Sequence, residues 1–274
     1  MVELTDAEFA RWRESVEERS GMSLGGARAR VLGEVAAARA RACGFAAPAE
    51  YARHLAACPA APEWDRLLDG LLNGDTRFFR DPAAFAALTG FALPAARERR
   101  RREGGARVAL WSAGCSTGPE AYSLGIACLS DPGLAGWQVE VVGTDRSPAA
   151  LERARAGCYR AHELAAVPPG VLRRFFEAAP AGYRVGPDLR AVTRFEPCDL
   201  LGGGPARPPQ DVIFCQNVLI YYRPEARGEI LRRLTAALAP GGCLVLGPAE
   251  ALGLDTPGLE LVRLPDAWLY RRTA

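Results

Sequence analysis

The clearest chemistry in the sequence lies in a glycine-rich loop, Gly114–Gly118, between a predicted strand and a predicted helix. A loop of this kind is typical of the place where a nucleotide-like ligand meets a parallel sheet. Its spacing lacks the G-x-G-x-x-G pattern that brings a pyrophosphate to the helix amides, which argues against a dinucleotide. Asp145 ends the next predicted strand, where its carboxylate can accept hydrogen bonds from a ribose diol. A ligand with a ribose but no pyrophosphate fits both features, and S-adenosylmethionine is the leading candidate.

Three other segments carry polar side chains with both a structural and a functional explanation. Glu120 stands in the first turn of the helix after the loop, where a carboxylate either stabilises the helix or faces the positive end of a ligand. Asn217 follows a predicted buried strand, where its amide needs a partner from the ligand or the backbone. In Thr76–Arg80 two phenylalanines can anchor the segment on the core, which would place Arg80 at the edge of a cavity. The residues alone leave both explanations open.

The composition is that of an ordinary globular protein. The 274 residues are 49% hydrophobic and 24% charged, with a net charge of +2. This balance excludes an intrinsically disordered chain and gives no overall attraction to nucleic acid or to anionic membranes. No apolar run reaches the roughly 18 residues of a membrane span, and the first residues lack the apolar region of a signal peptide. We therefore expect a cytoplasmic protein without membrane insertion.

The residue types narrow the chemistry further. The eight cysteines are scattered without a C-x-x-C pair, and the chain has only two histidines, so we expect reduced thiols and no metal site. All 34 basic residues are arginines, which excludes Schiff-base and lysine-nucleophile chemistry. The run Arg99–Arg102 is typical of a solvated helix end, and no nucleic-acid partner is expected.

The elements that must position these residues form two predicted domains. Residues 1–69 show only helical patterns, beginning with a capping box at Thr5. In residues 70–274 strands alternate with helices, which predicts an α/β fold with a doubly wound parallel sheet covered on both faces. The alternation lapses at about residues 180–196, where we predict a small antiparallel β insertion, and residues 259–272 predict a final β-ribbon. The two strands expected in the insertion are Tyr183–Val185 and Ala191–Phe195.

The predicted helix Ala27–Ala42 carries arginines on the side away from its apolar face. They form either a solvated flank or a basic surface that docks an acidic helical partner. The arginines form two ridges, Arg28 with Arg39 and Arg30 with Arg41. The apolar face, at 3.6 residues per turn, is expected to hold Val31, Val35, Ala38 and Ala42.

Four segments of the chain together resemble the CheR-type methyltransferases, chemotaxis enzymes that methylate receptor glutamates with S-adenosylmethionine. The resemblance covers nearly the whole length, and the segments occur in the family's order. They are Thr76–Asp81 for T-x-F-F-R-D, Trp111–Ser123 for W-S-A-x-x-S-T-G-x-E-x-Y-S, Gly143–Asp145 for the ribose strand, and Asp211–Tyr221 for D-x-I-F-C-R-N-V-x-I-Y.

The resemblance implies a Rossmann-like methyltransferase domain, with a small β insertion, preceded by a small all-helical domain. It implies that Asp145 holds the ribose, that Glu120 holds the methionine amino group, and that S-adenosylhomocysteine is the product. It also implies that Arg80 and Tyr221 flank the incoming carboxylate. The remaining cofactor positions implied are Thr76 with Arg80 at the methionine end, and Ala113, Asp199, Leu200, Asn217 and Val218 around the pocket.

The partner implied is the cytoplasmic helical domain of a chemoreceptor, and we expect a monomeric enzyme. The basic surface of Arg28, Arg30, Arg39 and Arg41 would contact that partner. In the family the β insertion also contacts receptors, and the short stretch Glu177–Gly182 is typical of members that need no receptor pentapeptide. Five positions depart from the family pattern, namely Gly74, Pro119, Asp199, Gln216 and Pro248. They bear on the choice of substrate more than on activity.

Two alternatives to receptor methylation stay open. One is a methyltransferase of the same fold with another acceptor, such as a small molecule or RNA. The other is a non-catalytic signalling module that binds the cofactor and reports to a partner.

Overall fold

The structure is a computed structural model in which residues 5–72, 74–202, 209–250 and 257–273 are described. The chain forms two compact units. One unit comprises Met1–Asn73 with the segment Tyr221–Ala226, and the other comprises Gly74–Ile220 with Arg227–Ala274. Within the described ranges no helix is long and apolar enough to cross a membrane.

Four helices build the first unit. The predicted capping box at Thr5 is present, because its side chain accepts the N–H of Glu8 at 3.3 Å and the Glu8 carboxylate accepts the N–H of Thr5 at 2.8 Å. Gly21, with a φ of 69°, ends the first helix. The helices are α1 (Asp6–Ser20), α2 (Ala27–Ala42), α3 (Pro48–Ala57) and α4 (Glu63–Gly70).

Helix α2 has the predicted bounds but buries a different face from the predicted one. The residues in the core are Leu32, Ala36 and Ala40. Val31 is 36% exposed, and Ala38 and Ala42 are also exposed. The expected face was wrong because alanine and valine surround most of the helix, so the apolar stripe that periodicity detects has little contrast.

Arg39 does not stand on a free basic ridge, which corrects the sequence expectation for this residue. Its Nε and Nη2 atoms donate to the two carboxylate oxygens of Glu63 at 2.6 and 2.8 Å, and Tyr51 donates its hydroxyl to Glu63 at 3.0 Å. The hydrogen bonds from Arg39 outweigh the burial of Glu63 and lower the pKa of this carboxyl to about 2. The pair joins α2 to α4 inside the unit.

We expect Glu63→Gln to lower the free energy of unfolding by about 2–3 kcal/mol at pH 7. The pKa of Glu63 is depressed in the folded state, so its contribution is present above about pH 4.5 and disappears as the pH falls towards 2. Urea denaturation across this range should show the difference between wild type and variant shrinking with acidification. As a control, Glu98→Gln removes an exposed pair with Arg102 and should change stability by less than about 0.5 kcal/mol. Equal effects of the two variants would contradict the prediction.

The second unit contains ten strands and seven α-helices among its described residues. The last of these helices, α11, begins at Pro224, within the segment assigned to the first unit. The strands are β1 (Arg107–Ala113), β2 (Gln138–Asp145), β3 (Cys158–Tyr159), β4 (Phe176–Ala179), β5 (Gly182–Val185), β6 (Thr193–Pro197), β7 (Gln210–Cys215), β8 (Leu238–Leu246), β9 (Leu259–Arg263) and β10 (Trp268–Arg272). The helices are α5 (Pro82–Ala87), α6 (Leu93–Arg102), α7 (Pro119–Ser130), α8 (Pro148–Ala156), α9 (Pro169–Phe175), α10 (Pro187–Val192) and α11 (Pro224–Ala237).

The main sheet has the strand order β6-β2-β1-β7-β8-β10-β9. The first five strands in this order are parallel, and β10 runs antiparallel to both β8 and β9. This confirms the doubly wound sheet and the final β-ribbon. The chain moves outward from β1 to β2 and later returns to β7 on the other side of β1, so the strand order reverses between β1 and β7. Ligands bind at such a reversal in open α/β sheets.

The β insertion exists, but its composition differs from the predicted one. Three short strands form it in the order β3-β5-β4, between residues 158 and 185. The segment expected as its second strand, Ala191–Phe195, instead ends α10 and begins β6, which pairs in parallel with β2. The sequence showed a half-buried strand there, but its partner lies about fifty residues away, and local pattern does not reveal such a partner.

The arginine run at the end of α6 is held within the unit. Arg99 and Arg100 both donate to Asp211, which is 1% exposed, and Asp211 also accepts the N–H of Ala109 at 2.8 Å. The guanidinium of Arg101 lies 5.7 Å from the ring centre of Trp137. The aspartate that opens the Asp211–Tyr221 motif therefore has a structural role.

Candidate active site

The expected cofactor positions lie at the carboxyl ends of four neighbouring parallel strands. Because β6, β2, β1 and β7 are adjacent and run in the same direction, their carboxyl ends share one edge of the sheet. This edge includes the reversal point between β1 and β7, where a ligand crevice is expected. The positions brought there are Ala113 at the end of β1, Asp145 at the end of β2, Asp199 and Leu200 after β6, and Asn217 and Val218 after β7.

The carboxylate of Asp145 organises the glycine-rich loop. Its Oδ2 accepts the N–H of Ser116 at 2.8 Å, and its Oδ1 accepts the N–H of Ser147 at 2.9 Å. One residue earlier, the carbonyl of Thr144 accepts the N–H groups of Gly114 and Cys115, both at 2.8 Å. Each carboxylate oxygen keeps further acceptor capacity, since an ionised carboxyl offers about four lone-pair sites. Asp145 can therefore accept two hydroxyl groups of a diol while it holds the loop.

Glycine is required at two positions of this edge. Gly114 has a φ of 83°, and a Cβ there would overlap the Cγ2 of Val218. A Cβ at Gly143 would lie 2.8 Å from the ring of Phe195. Gly114, in the loop after β1, therefore packs directly against Val218 in the segment after β7.

Glu120 lies in the first turn of α7 and accepts a hydrogen bond from the Ser112 hydroxyl at 2.7 Å. Burial raises the pKa of Glu120 to about 7, although the Ser112 hydrogen bond and the charge of Arg80 act in the opposite direction; the charge of Glu250 adds to the rise. A bound cation would favour the ionised form. The residues therefore fit a cofactor that presents a positive group to Glu120 and a ribose to Asp145.

The Thr76–Arg80 segment is anchored by its aromatic residues. The buried Phe78 ring packs edge-on against Tyr159, with 5.0 Å between ring centres. The N–H of Phe79 donates to the Ser123 hydroxyl of α7 at 3.1 Å. Arg80 donates to the carbonyl of Asp75 at 2.8 Å, and about a third of its side chain is exposed. The segment is thus attached to the same helix that carries Glu120.

Glu250 fixes the backbone around Asn217, and the sequence analysis did not identify it. One of its carboxylate oxygens accepts the N–H groups of Asn217 at 2.7 Å and Gly247 at 3.0 Å, and the other accepts the N–H of Ile220 at 3.2 Å. Glu250 is 5% exposed. A signal was available, because the family resembled by this sequence has the pattern G-H-x-E here and Gly247–Glu250 keeps its glycine and its glutamate.

Backbone strain is concentrated in the same motifs. Of the residues that the structure describes, three other than glycine have a positive φ: Phe79 at 50°, Ser116 at 50° and Asn217 at 60°. Each belongs to one of the segments that carry the family resemblance. Such conformations persist where the surroundings hold them, and they cluster at functional sites.

The departures from the family pattern keep local partners. The Gln216 amide, which stands where the family pattern has arginine, donates to Asp81 at 3.1 Å. The Gly74 carbonyl accepts the Ser116 hydroxyl at 3.4 Å. Asp199 is exposed and accepts the N–H of Leu201 at 3.0 Å. Pro119 is the first residue of α7, where a backbone N–H would have no partner within the helix, so its absence costs no hydrogen bond. Pro248 lines a cavity of about 300 Å³.

The remaining expected residues are one tyrosine, three arginines of α2 and Thr76. Tyr221 belongs to the first unit, together with Arg28, Arg30 and Arg41. The Arg30 side chain is 79% exposed, with a long 3.9 Å pair to Glu34, and Arg41 is exposed. Thr76 is partly exposed. Over the described ranges, no group of three or more His, Cys, Asp and Glu residues is arranged to hold a metal ion.

We expect the affinity for S-adenosylhomocysteine to depend on pH through Glu120. The pKa of Glu120 is about 7 in the free protein, so below pH 7 binding of the ligand's ammonium group must first displace a proton. The dissociation constant measured by calorimetry should therefore rise about tenfold from pH 8 to pH 6. Glu120→Gln should bind more weakly at pH 8 and show no such slope. A parallel slope in both proteins would assign the titration to another group.

Glu250→Gln should weaken S-adenosylhomocysteine binding about tenfold, because an amide oxygen cannot replace two charged acceptors and the Asn217 backbone loses part of its support. The matched control is Glu260→Gln on the exposed β9 strand, where the carboxylate pairs with Arg271. This control should leave the affinity within twofold of wild type. Wild-type affinity in Glu250→Gln would show that the strand-end backbone does not need this carboxylate.

Comparison with known proteins agrees with this geometry. Residues 74–265 match the family model described as CheR methyltransferase, SAM binding domain. The chain is similar to chemotaxis protein methyltransferase 1 of Pseudomonas aeruginosa, with 34% identity over 213 residues, 76% of this chain and 77% of that protein. It is also similar to the chemotaxis protein methyltransferase of Escherichia coli, with 33% identity over 252 residues, 90% of this chain and 85% of that protein. The chain belongs to the CheR methyltransferase family, and its second unit carries the S-adenosylmethionine-binding domain.

Proposed function

We propose that the protein transfers a methyl group from S-adenosylmethionine to glutamate side chains in the cytoplasmic helical domain of a chemoreceptor. The products are a glutamate methyl ester and S-adenosylhomocysteine. One observation carries the proposal. The carboxylates of Asp145 and Glu120 flank a single glycine-rich loop at the carboxyl ends of the parallel strands, in a chain that belongs to this family. The relatives named chemotaxis protein methyltransferases support the receptor as acceptor.

Two carboxylates in different environments bind different parts of the cofactor. Asp145 is held by two backbone N–H groups and receives the ribose hydroxyls. Glu120 is desolvated and receives the ammonium group of the methionine portion. Thr76 and Arg80 contact the methionine end, and Leu200 is among the residues that line the rest of the pocket. The bound cofactor supplies an electrophilic methyl group on a sulfonium.

The acceptor side requires positioning more than proton transfer. A glutamate has a reference pKa of about 4.3 and is ionised at pH 7, so it needs no general base. The reactants are a cation and an anion, and the transition state carries less charge than either, so a site that excludes water and aligns both groups provides the acceleration. Arg80 orients the carboxylate and Tyr221 donates a hydrogen bond to it.

The partner surface we propose is smaller than the sequence predicted. Arg39 pairs with Glu63, so Arg30 and Arg41 are the exposed arginines of α2 that meet an acidic helix. In the β insertion, β4 ends at Ala179 and β5 begins at Gly182, so the connection between them has two residues. This short hairpin supports recognition of receptors without a C-terminal pentapeptide.

The proposal is tested by incubating the protein with tritiated S-adenosylmethionine and receptor-containing membranes. Base-labile label on the receptor is expected, because a carboxyl ester hydrolyses in base. Base-stable label would indicate a different acceptor, and cofactor binding without any label would indicate a non-catalytic module. Either result would overturn the proposed function.

Two variants test the residues on the acceptor side. Arg80→Ala should lower kcat about 100-fold, and Tyr221→Phe should lower it about tenfold, because each removes a group that aligns the carboxylate. The affinity of Tyr221→Phe for S-adenosylhomocysteine should stay within twofold of wild type. Arg102→Ala, at the exposed end of α6, is the arginine control and should keep full activity. Unchanged turnover in Arg80→Ala and Tyr221→Phe would remove both residues from the reaction.

A further inference from the structure

The segment that carries Tyr221 is fixed by its backbone to the helical unit. The N–H of Ser23 donates to the carbonyl of Tyr221 at 2.8 Å, and the N–H of Arg223 donates to the carbonyl of Gly21 at 2.9 Å. Between these bonds, Met22 and Tyr222 form an antiparallel bridge. The connector between α1 and α2 therefore pairs with residues 221–223 as a short two-stranded ribbon.

The ring of Tyr221 is fixed separately, by Arg28 in the first turn of α2. The Arg28 guanidinium carbon lies 4.3 Å from the centre of the Tyr221 ring, within the range of a cation–π attraction. The tyrosine also packs, partly buried, against the apolar core of the unit. A planar guanidinium can stack on an aromatic face in a way that an ammonium group cannot. The ribbon sets the position of the residue, and Arg28 with the core sets the direction of its ring.

Arg28 differs from the arginines that only stabilise the unit. Arg39 places its guanidinium in a two-point hydrogen bond with a carboxylate. The Nη1 atom of Arg28, by contrast, is buried and has no hydrogen-bond partner among the residues that the structure describes. A buried donor without a partner is unfavourable, so hydrogen bonding at this Nη1 atom does not explain the arginine. The contact that accounts for the Arg28 side chain is the one with the ring of Tyr221.

We propose that Arg28 is a positioning residue for Tyr221, which holds the phenol in the orientation used in methyl transfer. This inference rests on the proposed function, which gives Tyr221 its role at the acceptor carboxylate. It differs from both sequence expectations for Arg28, a solvated flank or a surface that docks an acidic helical partner. A docking arginine affects KM for the receptor, whereas a positioning residue affects kcat and acts through Tyr221.

The first experiment measures receptor methylation by Arg28→Met and Arg28→Lys. Arg28→Met should lower kcat about tenfold, with KM for the receptor and the affinity for S-adenosylhomocysteine within twofold of wild type. Arg28→Lys keeps a cation over the ring and should recover part of the loss. The matched control is Arg19→Met, because the Arg19 guanidinium lies 4.6 Å from the ring centre of Trp64 in the same unit. This control should keep wild-type kcat.

The second experiment repeats Arg28→Met in a Tyr221→Ala background. If Arg28 acts through the tyrosine ring, removal of the ring should leave less than a twofold further effect of Arg28→Met. The full tenfold loss in that background, a raised KM with unchanged kcat, or wild-type kcat in Arg28→Met would each overturn the inference. Should Arg28→Met fail to fold, Arg28→Lys decides: a reduced kcat with unchanged KM supports the inference, and wild-type kcat overturns it.

The failure of this inference is distinct from failure of the proposed function. If Tyr221→Phe methylates receptors at the wild-type rate, the assigned role of Tyr221 is wrong and the inference falls with it. If Tyr221→Phe is slow and Arg28→Met is normal, only the inference fails. Calorimetry with S-adenosylhomocysteine on each variant confirms that the cofactor-binding unit is folded.

Discussion

The hydrogen bonds between the end of β2 and the loop after β1 hold the functional edge of the sheet in place. Asp145 and Thr144 together accept the backbone N–H groups of Gly114, Cys115 and Ser116. These bonds turn the chain from strand to helix within a few residues. The position of the first turn of α7, and with it every side chain that the helix directs into the crevice, depends on this contact.

Asp145 and Glu120 lie at the same edge of the sheet but in different environments. The Asp145 carboxylate accepts two backbone N–H groups. Burial raises the pKa of Glu120 to about 7, against the Ser112 hydrogen bond and the charge of Arg80. We expect a cationic group beside Glu120 to favour its ionised form, and a neutral ligand of the same shape would lack this interaction.

Sequence patterns predicted the parts of this structure that depend on local order. The strand and helix alternation, the capping box at Thr5 and the glycine at position 114 follow from periodicity, turn chemistry and spacing. The pairing of β6 with β2, the ion pair of Arg39 and the support from Glu250 connect residues that are distant in the chain. A single sequence does not reveal which residues pair in this way, because the same side chains are equally compatible with solvent.

The least predictable feature is the path of the chain around Tyr221. Ile220 donates its N–H to Glu250 in the cofactor-binding unit, while the next residue accepts a hydrogen bond from Ser23 in the helical unit. Consecutive residues are thus anchored in different units. The motif Asp211–Tyr221 reads as one continuous element in the sequence, yet its last residue takes its support from the connector between α1 and α2.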